Sequence, residues 1–133
     1  MEYLVASCGP AENPVAEQTE LVTIRNFRRE KDHLKKNNRK GIAIELLISD
    51  ARRLAGRALG DWFAQAGELY DFCNLRGDQF ILSSGATSLH EMVSGQCMDA
   101  VLVRCGINPK RHWRRSADWL DETLAKRIVG VAA

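Results

Sequence analysis

The sequence predicts one α+β domain over residues 1–133, with a small mixed sheet of about three or four strands packed against several helices. Two observations predict this class. Short segments rich in β-branched residues stand between stretches whose apolar residues recur at three- and four-residue spacing. These strand-like and helix-like segments follow no regular alternation, which favours α+β over a repeating βαβ array. A chain of 133 residues also matches one domain with one core.

Three segments have the composition of strands. Residues 2–8 are followed at once by a Gly-Pro pair, residues 20–25 alternate polar with β-branched side chains, and residues 80–83 follow a turn at Gly77. We therefore predict strands at these three places. Residues 28–40 are polar and basic, and they predict either a short exposed helix or an extended arm.

The strongest helical pattern lies between residues 44 and 63, where apolar residues recur at helical spacing. We expect one helix over about 43–59, and we expect Gly67 to end this region. Arg52 and Arg53 fall off the apolar stripe and should face solvent or a partner. The stripe residues expected to be buried are Leu47, Ile48 and Ala51.

Two further helices are predicted in the second half. Residues 88–91 have the S-x-x-E form of a capping box, which predicts a helix start at Ser88 and a helix over about 89–100. Residues 105–109 predict a break. Ser116 then predicts the cap of a final helix.

Positive charge is concentrated although the net charge is only +2. Lys and Arg cluster in residues 25–40 and 104–115, each with an aromatic residue inside, and such clusters bind phosphates while a ring can stack on an unpaired base. We therefore expect RNA binding, with DNA as an alternative. The predicted nucleic-acid-binding residues are Arg28, Arg29, Lys35, Lys36, Arg39, Lys40, Lys110, Arg111, Arg114 and Arg115.

A more specific hypothesis for nucleic-acid binding is a helix-turn-helix near residues 100–120. It would use 100–105 as the first helix, 106–108 as a turn containing Gly106, and 109–120 as the recognition helix. This alternative predicts a DNA-binding transcriptional regulator.

No sequence template for catalysis matches, and the four cysteines lack ligand spacing. We therefore expect no enzymatic activity, no metal and no cofactor, with the cysteines as free thiols. No segment has the length and apolar character of a membrane span, and the N-terminus lacks the pattern of a signal peptide, so we expect no membrane partner and a cytoplasmic location.

Several segments together resemble the small kinase-binding subunit family of the KEOPS (EKC) tRNA-modifying complex. The resemblance includes the run A-I-E-L-L-I-S-D-A-R-R-L-A-G-R-A-L at residues 43–59. The other segments are residues 3–9, 21–24, 33–34, 106–107 and 122–129.

The resemblance implies a non-catalytic subunit that docks a small protein kinase through a helical face and contacts tRNA in a threonylcarbamoyladenosine-forming complex. The residues that this implies for partner binding are Glu45, Arg52, Arg53 and Arg57. A further alternative is a small inhibitor or interaction protein whose basic surface meets an acidic protein patch.

Overall fold

The computed structural model describes residues 6–7, 20–36 and 41–132, with side chains described for residues 20–36 and 41–125. Four described strands form one sheet in the order β1-β2-β3-β4, and every pairing between them is parallel. The strands are β1 (Ala6–Ser7), β2 (Leu21–Ile24), β3 (Ala43–Leu47) and β4 (Gln79–Ser83). The helices are α1 (Phe27–Lys36), α2 (Ile48–Ala51), α3 (Gly56–Arg76), α4 (Gly95–Arg104) and α5 (Pro109–Ala132), with a 3₁₀ turn at Leu89–Glu91.

The α+β class is confirmed, as are the strands near residues 20–25 and 80–83. In contrast to the predicted mixed sheet, the described pairings are all parallel, and two successive βαβ units run from β2 through β3 to β4. Parallel neighbours need a crossover connection, and α1 and α3 supply it. Since these two helices also pack against each other, they cover the same face of the sheet.

The core lies between that face and the two crossover helices. Parallel register aligns apolar side chains across three strands, in the rows Val22–Ile44–Phe80 and Ile24–Leu46–Leu82. From the helices, α1 contributes Phe27 and Leu34, and the α3 residues buried against the sheet are Trp62, Ala66, Leu69 and Cys73. All of these side chains are nearly inaccessible to solvent, so this face holds the main apolar burial of the fold.

The predicted helix over residues 43–59 is wrong. Ala43–Leu47 forms the strand β3, Ile48–Ala51 a single helical turn, and α3 begins only at Gly56. A short apolar run fits a buried strand as well as a helix, and here neighbouring strands on both sides pair with it. Within this segment, Ile48 and Ala51 are buried as predicted while Leu47 is half-buried. Arg52 and Arg53 are exposed as predicted.

The helix α3 continues through Gly67, where the sequence predicted an end. Its last residue is Arg76, and the left-handed Gly77 (φ 75°) caps it. A side chain at position 67 would bring its Cβ to 3.2 Å from the Cys105 carbonyl oxygen. Gly67 therefore allows the turn before α5 to pack closely on α3, and it has a packing role in place of the predicted terminating role.

The boundaries in the second half also differ from those predicted. Ser88 makes no side-chain cap, and the helix α4 starts at Gly95, where Ser94 Oγ accepts a hydrogen bond from Cys97 N at 3.2 Å. The last helix starts at Pro109 and passes through Ser116 without a break. Proline suits the first turn of a helix, because its missing N–H has no partner there anyway.

Hydrogen bonds and an ion pair connect the amino ends of the strands to the neighbouring helices. Gly41, just before β3, donates its N–H to Asp78 Oδ1 at 3.1 Å, and its carbonyl oxygen accepts from Trp119 Nε1 at 2.6 Å. Arg76 donates to the Leu34 carbonyl oxygen and lies 3.5 Å from Asp78 Oδ2. Gln79 is bonded to α5 through Ser116 Oγ. The edge at which the strands begin is therefore held by contacts from α1, α3 and α5.

Candidate binding site at the carboxyl edge of the sheet

The opposite edge of the sheet carries a different set of side chains. Because all described strands are parallel, their carboxyl ends meet at one edge, the side on which open α/β sheets bind ligands, although the sequential order of the described strands has no switch point there. Arg25 follows β2, Ser49 and Asp50 follow β3, and Ser84 and Gly85 follow β4. The fold therefore brings together loops that are separated by tens of residues in the chain.

Gly85 fixes the distance between two of these loops. Its backbone is left-handed (φ 64°), and a Cβ there would overlap Ser49 Oγ and lie 3.0 Å from Ser49 Cβ. The Ser49 N–H donates to the Ser84 carbonyl oxygen at 3.0 Å. Only glycine combines this conformation with this approach, so the loops after β3 and β4 form one surface.

A cleft of about 360 Å³, the arginine cleft, opens on this surface. Three arginines and two carboxylates line it, so positive charge exceeds negative charge by one. Residues that define the arginine cleft are Arg25, Ser49, Asp50, Arg52, Arg53 and Glu91.

The three arginines differ in their partners. Arg25 Nη1 forms an ion pair with Asp50 Oδ1 at 2.6 Å, and Arg52 donates to the Glu91 carbonyl oxygen. Arg53 is exposed and has no hydrogen bond or ion pair to any described residue. Hydrogen bonds from the Thr87 hydroxyl and N–H lower the pKa of Glu91 and hold its side chain within its own loop. Arg53 is thus free to meet an anion, and Arg52 adds a fixed positive charge.

A second cleft of about 330 Å³, the indole cleft, adjoins the first. It shares Arg25 and Asp50 with the arginine cleft, and apolar side chains from β3 and α3 form much of its wall. The residues that define the indole cleft are Arg25, Leu46, Asp50, Leu54, Ala58 and Trp62.

Two buried polar atoms of the indole cleft lack a partner. Asp50 Oδ2 and Trp62 Nε1 are both inaccessible to solvent, and neither has a hydrogen-bond partner in the described part of the chain. Trp62 is only 7% exposed, so its indole N–H cannot be satisfied by bulk water. Such atoms cost free energy while nothing bonds them, and both belong to residues that line this cleft.

The predicted basic residues of the first stretch fall into different environments. Arg28 bonds Asp61 at 2.8 Å and Glu68 at 3.0 Å, and these bonds raise its pKa and tie α1 to α3. Arg29, Lys35 and Lys36 are exposed on α1. Arg39 and Lys40 lie outside the described residues.

The second predicted stretch lies on the first turns of α5. Lys110, Arg111 and Arg114 are exposed there, whereas Arg115 is half-buried and donates to Asn74 Oδ1 at 3.0 Å. Trp113 is 38% exposed and donates to Asp99 Oδ1 of α4 at 2.7 Å. The helix α4, a turn at Gly106 (φ 80°) and α5 follow in the order that a helix-turn-helix requires.

The residues implied for partner binding do not share one helical face. Glu45 lies on β3, where its carboxylate accepts hydrogen bonds from Thr23 at 2.7 Å and Ser83 at 2.5 Å across three strands. Arg52 and Arg53 follow α2, and Arg57 is exposed on the first turn of α3. The three arginines therefore belong to the carboxyl edge, whereas Glu45 stabilises the face of the sheet opposite α1 and α3.

Two of the described cysteines, Cys73 and Cys105, are withdrawn from solvent, whereas Cys97 is exposed. Burial raises the pKa of Cys73 above its usual range and that of Cys105 to about 11, which disfavours the reactive thiolate. Among described positions, no three His, Cys, Asp or Glu residues are grouped to hold a metal ion. Within the same residues, no helix has the length and apolar character to cross a bilayer.

Sequence reasoning did not identify Arg25, Asp50 or Trp62 as site residues. The helical spacing over residues 44–63 places Trp62 on an apolar stripe and Asp50 within the predicted helix, whereas Trp62 belongs to α3 and Asp50 to the single turn α2. The detectable signal was the S-D pair at 49–50 directly after an apolar run, which is typical of a strand that ends at a polar site. No protein-family model, curated protein or solved structure matches the chain.

Proposed function

We propose that this chain is a non-catalytic binding module that contacts the phosphate backbone of RNA through the carboxyl edge of its sheet. One observation carries the proposal: Arg25, Arg52 and Arg53, from two separate strand-end loops, line a single cleft. Guanidinium groups bind phosphate oxygens through paired, charge-assisted hydrogen bonds. Arg57 is a further exposed arginine, on the first turn of α3.

Salt dependence of RNA binding tests this proposal. The variant Arg52→Gln/Arg53→Gln keeps long polar side chains but removes two charges at exposed positions. We expect at least about tenfold weaker binding of a single-stranded RNA, and a salt dependence that is flatter by roughly 0.7 log units per lost contact. The matched control is Lys110→Gln/Arg111→Gln, which removes two exposed charges from α5. Equal binding by the wild type and the cleft variant would overturn the proposal.

The second candidate function is DNA binding through α4 and α5. The exposed side chains of Lys110, Arg111 and Arg114 on the first turns of α5 favour it, because a recognition helix contacts bases with its N-terminal residues. This function predicts that Lys110→Gln/Arg111→Gln loses affinity for duplex DNA, whereas Arg52→Gln/Arg53→Gln keeps it. The same two proteins therefore separate the two functions.

We further propose, from the family resemblance, that the RNA is tRNA and that a protein kinase is the protein partner within a tRNA-modifying complex. The exposed Arg57 and its neighbours offer a surface for that partner. Co-purification from native cells, followed by identification of bound protein and RNA, tests this version. Recovery of an acidic protein without RNA would support a small interaction protein instead.

A further inference from the structure

We propose that the two clefts together bind one unpaired nucleotide, with its base in the indole cleft and its phosphate in the arginine cleft. The inference rests on the proposed RNA-binding function and adds the recognition of a base to it. Its geometric ground is that Arg25 and Asp50 line both clefts. We expect a ligand that occupies both clefts to place a flat apolar ring with polar atoms at its edge in the indole cleft. Its anionic group would then lie in the arginine cleft.

The indole cleft has the properties that a base requires. Its volume of about 330 Å³ lies at the small end of ligand pockets, which start near 300 Å³. Leu46, Leu54 and Ala58 provide apolar contact for the faces of a flat ring. A paired duplex hides the hydrogen-bonding edges of its bases, so the ligand is a single-stranded segment whose bases are free to turn outward.

The unpartnered atoms match the edge of a base. Trp62 Nε1 is a donor without an acceptor, and Asp50 Oδ2 is an acceptor without a donor. Every nucleobase presents both donors and acceptors along its edge, so a base that enters the cleft and displaces the side chains covering these two atoms offers a partner of the right kind to each. An inorganic phosphate or a sugar phosphate supplies no such pair together with a flat apolar ring.

The arginine cleft completes the site. When the base occupies the indole cleft, the attached phosphate passes Arg25, which lines both clefts, and enters the arginine cleft near Arg52 and Arg53. Ser49, held against Gly85 at the loop junction, adds a hydroxyl beside these charges. The ligand is therefore a nucleotide within single-stranded RNA.

The experiment compares a short uridine oligonucleotide with a strand of the same length that lacks bases. Ala58→Leu fills the indole cleft from an exposed helical position, and Ala64→Leu makes the same change at an exposed α3 position away from the clefts. We expect the wild type and Ala64→Leu to bind the uridine strand about tenfold more tightly than the baseless strand. Ala58→Leu should bind both strands alike, and Trp62→Phe should lose part of the preference.

The outcomes separate this inference from the proposed function. If the wild type binds both strands equally while Arg52→Gln/Arg53→Gln still weakens binding, the phosphate surface stands and the base site is refuted. If Ala58→Leu keeps the full preference for the uridine strand, the base lies elsewhere and the inference is also refuted. If the wild type binds neither strand, the proposed function itself fails.

Discussion

The two edges of the sheet hold similar residue types that differ in how their polar atoms are bonded. At the amino edge, the hydrogen bonds and ion pair of Gly41, Arg76 and Trp119 link several elements of the fold. At the carboxyl edge, Arg53 is without a described partner, and buried atoms of Asp50 and Trp62 are unsatisfied beside open clefts. Asp78 Oδ2 at the amino edge also lacks a hydrogen bond, but it faces the charge of Arg76 at 3.5 Å. The fold therefore bonds the polar atoms of Arg76 and Trp119 at one edge and leaves those of Arg53 and Trp62 unbonded at the other, which is why we propose the binding site at the second.

The largest effect that we expect is on stability at the amino edge. Trp119→Ala removes a side chain that is only 8% exposed and its hydrogen bond to the Gly41 carbonyl oxygen. We expect a loss of about 3–5 kcal/mol in the free energy of unfolding, measured by chemical denaturation. Trp119→Phe should lose less, about 1–3 kcal/mol, because it keeps one aromatic ring and removes the hydrogen bond and the rest of the indole volume. A loss below about 1 kcal/mol in the alanine variant would show that α5 does not close this edge.

The next largest effect concerns the junction of the two loops at the carboxyl edge. Gly85→Ala places a Cβ against Ser49 in a left-handed conformation, and we expect a loss of about 3 kcal/mol. Gly56→Ala is the control, because Gly56 is also left-handed (φ 57°) but has open space around it. It should cost about 1 kcal/mol from backbone strain alone. Equal losses in the two variants would mean that the loops do not need this close approach.

A smaller effect should depend on pH. His112 is 2% exposed, both ring nitrogens lack a described hydrogen-bond partner, and burial, with a contribution from the charge of Arg115, lowers its pKa. The unfolded chain therefore takes up the proton first, and stability falls as pH drops below the ordinary value of 6.5.

His112→Phe should reduce this acid sensitivity, because it keeps a ring in contact with Phe80 and Trp113 and cannot be protonated. The measurement is the free energy of unfolding between about pH 7 and pH 5. Parallel pH curves for the two proteins would show that His112 is not buried in its neutral form.

Stability and binding should separate between the edges. Trp119→Phe is expected to bind RNA with unchanged affinity at a concentration and temperature where it is folded, whereas Arg52→Gln/Arg53→Gln is expected to keep its melting temperature and lose affinity. The pair can be compared by thermal melting and RNA titration on the same preparations. Loss of RNA affinity in Trp119→Phe alone would reverse the roles that we assign to the two edges.

The strand β2 could be predicted from its local sequence pattern, because that pattern allows only one interpretation. Residues 20–25 alternate over a half-polar strand, and β2 follows from that alone. Residues 43–47 could not be assigned in this way. Their apolar run fits a strand or a helix, and only pairing with β2 and β4 decides between the two.

The candidate site was harder to predict, for a related reason. The sequence shows where arginines are dense but not where their charges remain available. Arg28, in the densest stretch, is held by Asp61 and Glu68 from thirty or more residues away. Arg25 reaches the site only because β2 and β3 are adjacent and parallel.

The most direct test of the central claim is a map of backbone amide chemical shifts during titration with single-stranded RNA. If the carboxyl edge binds RNA, the amides of Ser49, Arg53 and Gly85 shift in proportion to the bound fraction, and those of Gly41 and Asp78 remain in place. Shifts confined to the first turns of α5, or centred on Gly41 and Asp78, would contradict the assignment of RNA binding to the carboxyl edge.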